Sequence, residues 1–99
     1  MDIAVAYEGD AAVVAVEGHL NTNTAGDLER TLADVFGRTY RVTLDFSRLE
    51  YLSSAGLRVL VGAQRRIMKA GGTLRITGTV DDVREVFEIT GLIDVLDVE

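Results

Sequence analysis

From Ile3 to Tyr7 apolar side chains alternate with small ones, and from Ala11 to Val16 the run is apolar and rich in β-branched residues. Glu8-Gly9-Asp10 between them is a turn signal, so the two segments are expected to pair as a hairpin. After 18-GHLNTNTAGD-27 the period lengthens. Leu28, Leu32 and Val35 or Phe36 recur at helical spacing, and Gly37 is the expected stop. Thr24 followed by Asp27 reads as a capping-box-like start, with the aspartate standing in for glutamate. Arg41 to Phe46 has the pattern of a short, mostly buried strand. The next helix opens in 51-YLSSAGLRVL-60 and places Leu57, Leu60, Val61, Gln64, Ile67 and Met68 on one face, with Arg58, Arg65 and Lys69 opposite. Gly71-Gly72 ends it in the manner of a C′ glycine. Thr73 to Thr77 predicts a strand. Thr79 to Asp82 predicts the cap of a third helix, with Val83, Val86 and Phe87 inward and Gly91 closing it. Asp94 to Val98 fits a last short strand.

The resulting order is ββαβαβαβ. Strand–helix–strand units cross over right-handed, so the expected class is α/β. The expected architecture is a small, mixed, mainly parallel sheet with an antiparallel hairpin at its N-terminal edge and three or more helices packed on it. The 99 residues are expected to form one domain, 1–99, with no linker or internal repeat. With 47% hydrophobic and 26% charged residues, the chain has the composition of a globular domain able to bury a core.

Charge and composition narrow the chemistry. There are no cysteines, so disulfides, thiolate catalysis and cysteine-based zinc sites are excluded. The start, MDIAVAYEGD, lacks a basic segment followed by a long apolar one, and no apolar run approaches the roughly 18 residues of a membrane span. A cytoplasmic location without membrane insertion is the expectation. The net charge of −6 argues against nucleic acid as a partner, because its phosphates call for a positive face. Against that background Arg58, Arg65, Arg66 and Lys69 cluster just after the two serines. They fit either a solvated helix face with cations toward its C-terminus or a contribution to partner binding.

No enzyme signature is complete. His19 is the only histidine. The hydrolase elbow G-x-S-x-G requires a glycine two residues before the serine, where Ser54 has Leu52. A glycine-rich phosphate loop ending in Lys and Ser or Thr is absent. Asp45 near the end of its strand lacks the acidic pair and later lysine of a response-regulator magnesium site. No catalytic residue, metal site or cofactor is therefore expected. What remains is a helix N-terminus carrying free hydroxyls. Ser53 or Ser54 can cap it, and a phosphate placed on such a serine would meet unpartnered N–H groups while repelling a partner docked on the neutral form. Residue chemistry alone leaves both the cap and the switch open.

Gly18-His19-Leu20-Asn21 with Thr24-Ala25, Leu44-Asp45-Phe46-Ser47 with Leu49, the SSAG turn with Gly56-Leu57, Gly71-Gly72, and Phe87-Glu-Ile-Thr-Gly91-Leu92 follow one another in order and spacing. In this the chain resembles the bacterial anti-sigma-factor antagonists, the single-domain members of the STAS family. The resemblance implies a non-enzymatic protein that binds an anti-sigma factor when unphosphorylated, the anti-sigma factor being also a serine kinase of the GHKL ATPase type. It implies release on phosphorylation and restoration by a PP2C-type phosphatase. Counting back from Gly56, the acceptor position falls on Ser54, with Ser53 as the fallback. The docking face implied by the family comprises Asn21, Thr22, Thr24, Ser53, Ser54, Ala55, Gly56 and Arg58, with the outer side of the helix that follows. Phosphate on Ser54 would then be expected to meet the amides of Gly56 and Leu57. Relatives carry aspartate where this chain has Asn21 and Ser53, and a second hydroxyl where it has Ala55. A non-switching scaffold, or an accessory subunit such as that of a lipid-transport ATPase, is the alternative reading.

Overall fold

The computed structural model describes residues 1–99. The order is β1 (Asp2–Glu8), β2 (Ala11–Leu20), α1 (Ala25–Phe36), β3 (Arg41–Leu52), α2 (Ser54–Lys69), β4 (Thr73–Thr77), α3 (Asp81–Ile89), a 3-10 turn (Leu92–Asp94) and β5 (Asp97–Val98). The five strands lie side by side in chain order, with β1 antiparallel to β2 and each later pair parallel. The expected α/β class, hairpin edge and three helices are all present.

A sheet that always adds its next strand on the same side places every right-handed crossover helix on one face. The burial pattern agrees. Ala12, Val14 and Val16 of β2, Val42, Leu44 and Phe46 of β3, and Leu74 and Ile76 of β4 point into one core under the helices. Their neighbours Val13, Ala15, Thr43 and Asp45 line the other face and stay partly exposed. From above, the core receives Leu28, Leu32 and Val35 of α1, Leu57, Leu60 and Ile67 of α2, and Val83 and Phe87 of α3. Burying one such aliphatic side chain contributes about 1.5–3 kcal/mol, and the alternation needed to bury all of them is what the sequence pattern encodes.

Several local expectations are corrected. Both β2 and β3 run well past Val16 and Phe46, as far as Leu20 and Leu52. Register shifts between Ala15 and Glu17 and between Gly18 and His19 let pairing resume at His19↔Tyr51 and Leu20↔Leu52, while Glu17, Arg48 and Glu50 face solvent. The polar residues that looked like a strand end are the exposed half of a longer one. Met68 is exposed rather than on the apolar face of α2, and Ala63 is buried there instead. At 100° per residue Met68 stands well off the line through Leu60 and Ile67. Gln64, the polar interruption of that face, is half-buried and donates to the Val95 carbonyl at 3.5 Å. The last strand is only Asp97–Val98, because Leu92–Asp94 coils into the 3-10 turn.

The helix ends show which signals were real. Gly71, at φ +75°, follows α2 in the left-handed region, and the Gly71 and Gly72 amides bond to the carbonyls of Met68 and Ile67. This is a Schellman arrangement, and Gly71 ends the helix as the expected C′ glycine. Neither the capping box expected at α1 nor the cap expected from Thr79 to Asp82 at α3 forms. Neither helix has a side-chain cap bond; Asp27 pairs with Arg30, and Thr79 donates to the Glu99 carbonyl.

Candidate functional site at the C-terminal ends of β2 and β3

The two central strands end together, and each is followed by a loop that opens a helix. In open α/β sheets this carboxyl end is where loops are free to bind. The first loop, after β2, is braced by its own side chains. Asn21 Oδ1 accepts from the Asn23 and Thr24 amides at 2.9 and 3.1 Å. Thr24 Oγ1 accepts from the Asn21 amide at 2.9 Å and donates to the His19 carbonyl at 2.8 Å. Thr22 and Asn23 project outward from this brace and are exposed.

The second loop is shorter. Ser53 has extended backbone angles (φ −94°, ψ 171°), and its Oγ accepts from the Gly56 amide at 3.3 Å, which makes it the N-cap of α2. The Ser53 amide in turn donates to the Leu20 carbonyl at 2.9 Å, tying this turn to the end of β2. Gly56 lies beneath the surface. A Cβ on it would come within 2.6 Å of Leu20 Cγ and 2.9 Å of Leu52 Cδ1. The glycine of the SSAG turn is therefore required by close packing of the helix onto both strand ends. Gly56 cannot touch a partner directly; it shapes the surface from below.

Ser54 is the first residue of α2, is exposed, and its hydroxyl forms no hydrogen bond within the protein. The two serines thus differ: Ser53 is half-buried and engaged as a cap, Ser54 is presented. Arg58 stands one turn further along the same side of the helix and is also exposed. Ser54 and Arg58 share a shallow depression of about 460 Å³ with Leu57, Val61, Gly62, Arg65 and Leu92. Leu92 comes from the 3-10 turn after α3, far away in sequence, so no local motif could have assigned it to this surface.

The amides expected to receive a phosphate are already used. The Gly56 amide is held by Ser53 Oγ and the Leu57 amide by the Ser53 carbonyl, at 3.0 Å. The amides without an internal partner in the first turn are those of Ser54 and Ala55, as helix geometry dictates. The fold thus gathers Asn21, Thr22, Thr24, Ser53, Ser54, Ala55 and Arg58 around one edge. It also explains how asparagine serves at position 21. The brace uses only an acceptor oxygen there, which an aspartate would equally provide, so the substitution removes charge without disturbing the loop.

Asp45 lies away from this edge, on the open sheet face. Its Oδ1 accepts from the Ser47 amide at 3.0 Å. That bond, then one to the Ser47 side chain, holds the Asp45 carboxyl below the usual carboxylate range; Arg48 adds to the effect and partial burial opposes it. No group of three or more His, Asp or Glu side chains converges in a way that could hold a metal ion. No helix is long and apolar enough to cross a membrane.

Residues 3–97 match the family model described as "Mlab, STAS domain". The chain belongs to the STAS domain family. Among its relatives, BtrV of Bordetella bronchiseptica, provisionally named an anti-sigma factor antagonist, is 38% identical over 87 residues, covering 87% of this chain and 75% of that protein. The anti-sigma-B factor antagonist of Bacillus subtilis is 27% identical over 85 residues, covering 86% and 78%. Backbone similarity extends to the anti-sigma factor antagonist SpoIIAA, with solved structures of its unphosphorylated form and, from Bacillus, its phosphorylated form. Each matches at a TM-score of 0.77, at 15% and 17% identity; both span 99% of this chain, and 87% and 91% of the SpoIIAA chain. At that identity the likeness concerns the fold alone.

Proposed function

We propose that this STAS domain is an anti-sigma-factor antagonist working by a phosphorylation switch at Ser54. In the unmodified state the Asn21–Thr24 loop, the Ser53–Ala55 turn and the outer side of α2 dock on an anti-sigma factor that is also a GHKL-type serine kinase. Transfer of a phosphoryl group to Ser54 releases the complex, and a PP2C-type phosphatase reverses it. The domain supplies no catalytic group. The observation that carries the reading is the presented, unbonded Ser54 hydroxyl at the start of α2, beside a neighbouring serine wholly occupied as the cap.

Phosphate at this position adds a charge of roughly −1.5 to −2 next to free Ser54 and Ala55 amides and the positive end of the helix dipole. It also sits four residues before Arg58, the orientation in which an acid followed by a cation pairs best on a helix. The modified serine is thus tolerated by its own helix while Arg58 is drawn away from any partner. The switch works at the surface and leaves the core intact.

Incubating the protein with ATP and a GHKL-type serine kinase from the same genome tests the assignment. Phosphate is expected on wild type and on Ser53→Ala, and none on Ser54→Ala. Full incorporation into Ser54→Ala would transfer the role to Ser53; no incorporation into wild type would favour the accessory-subunit reading.

A further inference from the structure

We infer that the outer face of α2 seats an acidic helix of the anti-sigma partner, with Gly62 as the notch where the two helices approach most closely; this rests on the reading of the Ser54 surface given above. The first observation is charge. Helix α2 carries Arg58, Arg65, Arg66 and Lys69 and not one carboxylate, in a chain of net charge −6. Arg30, Arg41, Arg48, Arg75 and Arg84 all have acidic partners within the fold. None of the four cations of α2 does, although Arg66 lies over the Phe36 ring at 5.2 Å. Of the remaining cations only Arg38, which lies over the Tyr7 ring at 4.8 Å, also lacks an acidic partner, so the cluster on α2 is the one group of cations left available.

The second observation is Gly62 itself. It sits in the interior of a 16-residue helix, where glycine is less favourable than alanine. Its backbone is not left-handed, and a Cβ placed on it would meet nothing within 4 Å. Nothing in the free domain calls for glycine there, in contrast to Gly56. What glycine provides is a gap in the ridge Arg58–Gly62–Arg66, the i±4 row into which an opposing helix inserts its own ridge. Apolar hollows flank the gap. One of about 410 Å³ lies toward α1 and includes Leu32, Phe36, Val59 and Ala63, with Glu29 of α1 on its wall facing Arg58 and Arg66; the other includes Leu57, Val61 and Leu92. Arg58 and Gly62 line both. An amphipathic helix laid across this face finds apolar contact, close backbone approach and cations above and below the crossing.

The charge pattern selects the occupant. A second copy of the chain would bring four cations against four. Nucleic acid or an anionic membrane would meet the repulsion of the otherwise acidic domain. An acidic protein helix is attracted most strongly at this face, where four cations lie together, which fixes its orientation.

The test measures affinity for the anti-sigma kinase whose complex Ser54→Asp releases. Gly62→Ala is expected to melt about 4–8 °C higher, through its better helix propensity, yet to bind at least tenfold more weakly. Gly62→Gln is expected to remain folded and to bind more weakly still. Arg65→Glu should weaken binding most at low salt and less as screening rises. If both Gly62 variants bind as wild type while Ser54→Asp still releases the partner, the notch is refuted and the switch stands. If Ser54→Asp binds as tightly as wild type, the switch itself fails and the notch falls with it. Uptake of duplex DNA or anionic vesicles in place of the kinase, abolished in Arg65→Glu, would also overturn the assignment of an acidic helix.

Discussion

Helices α1 and α2 begin at equivalent places, each after a central strand and each directly preceded by a hydroxyl residue, Thr24 and Ser53, yet their hydroxyls have different fates. At α1 the Thr24 hydroxyl is consumed, bridging the Asn21 amide and the His19 carbonyl. At α2 the cap is taken by Ser53 alone, and Ser54 is left with its oxygen in solvent. A hydroxyl that closes a loop cannot be modified without opening it. One that closes nothing can carry a phosphate at little cost to the fold. The comparison teaches that a serine at a helix start is defined by which neighbour has already satisfied the backbone.

Breaking this comparison begins with the largest effect. Ser54→Asp is expected to weaken binding to the anti-sigma kinase by about a hundredfold, since a desolvated like charge or unpaired carboxylate at an interface costs about 2–5 kcal/mol. Its melting temperature should stay close to that of wild type, measured side by side by calorimetry. A large loss of stability would mean that Ser54 is structural after all. Gly56→Ala comes next and acts on the fold: forcing a methyl group against Leu20 and Leu52 is expected to cost about 1–3 kcal/mol in denaturant unfolding.

Thr24→Val keeps the shape but removes the two bonds that the Thr24 hydroxyl makes to the Asn21 amide and the His19 carbonyl, leaving the Asn21 side chain's bonds to the Asn23 and Thr24 amides. About 1–2 kcal/mol of lost stability is expected, more than for Ser53→Ala, whose single longer cap bond places it near the low end of about 0.5–2 kcal/mol. Equal losses in the two variants would erase the contrast between the loops. The smallest effect lies away from both helix starts. Asp45 has a depressed folded pKa, so it contributes stability present above the unfolded value of about 3.9 and lost as pH falls through the folded value. Asp45→Asn should make the decline in stability below about pH 4 slightly shallower, and only slightly, because the side chain is largely solvated.

Much of this was legible in the residues. The alternation in β1 and β2, the helical spacing of Leu28 and Leu32, and Gly71-Gly72 each reflect a local rule of period or backbone angle, and each appears where expected. Capping boxes proved less readable at α1 and α3, because a side chain near a helix start has several competing partners. For Thr24 the His19 carbonyl won, and for Thr79 the Glu99 carbonyl. Met68 lies off the core face because it stands about 100° around the helix from Ile67, which remains fully buried.

By itself, then, the sequence determined the order of elements, the face each presents to the core, and the register that sets Ser54 two residues before Gly56. Those are consequences of short-range periodicity and of where glycine is placed. Tertiary structure decided what each glycine is for and which hydroxyl is free. Gly56 is buried against Leu20 and Leu52 while Gly62 faces open solvent, and the chain alone cannot distinguish them. The Ser53 amide is bound by a carbonyl from another strand, and Leu92 arrives beside Ser54 from after α3. Close packing and hydrogen-bond satisfaction are settled between segments distant in sequence, and they determine which of two adjacent serines is left free to carry a phosphate.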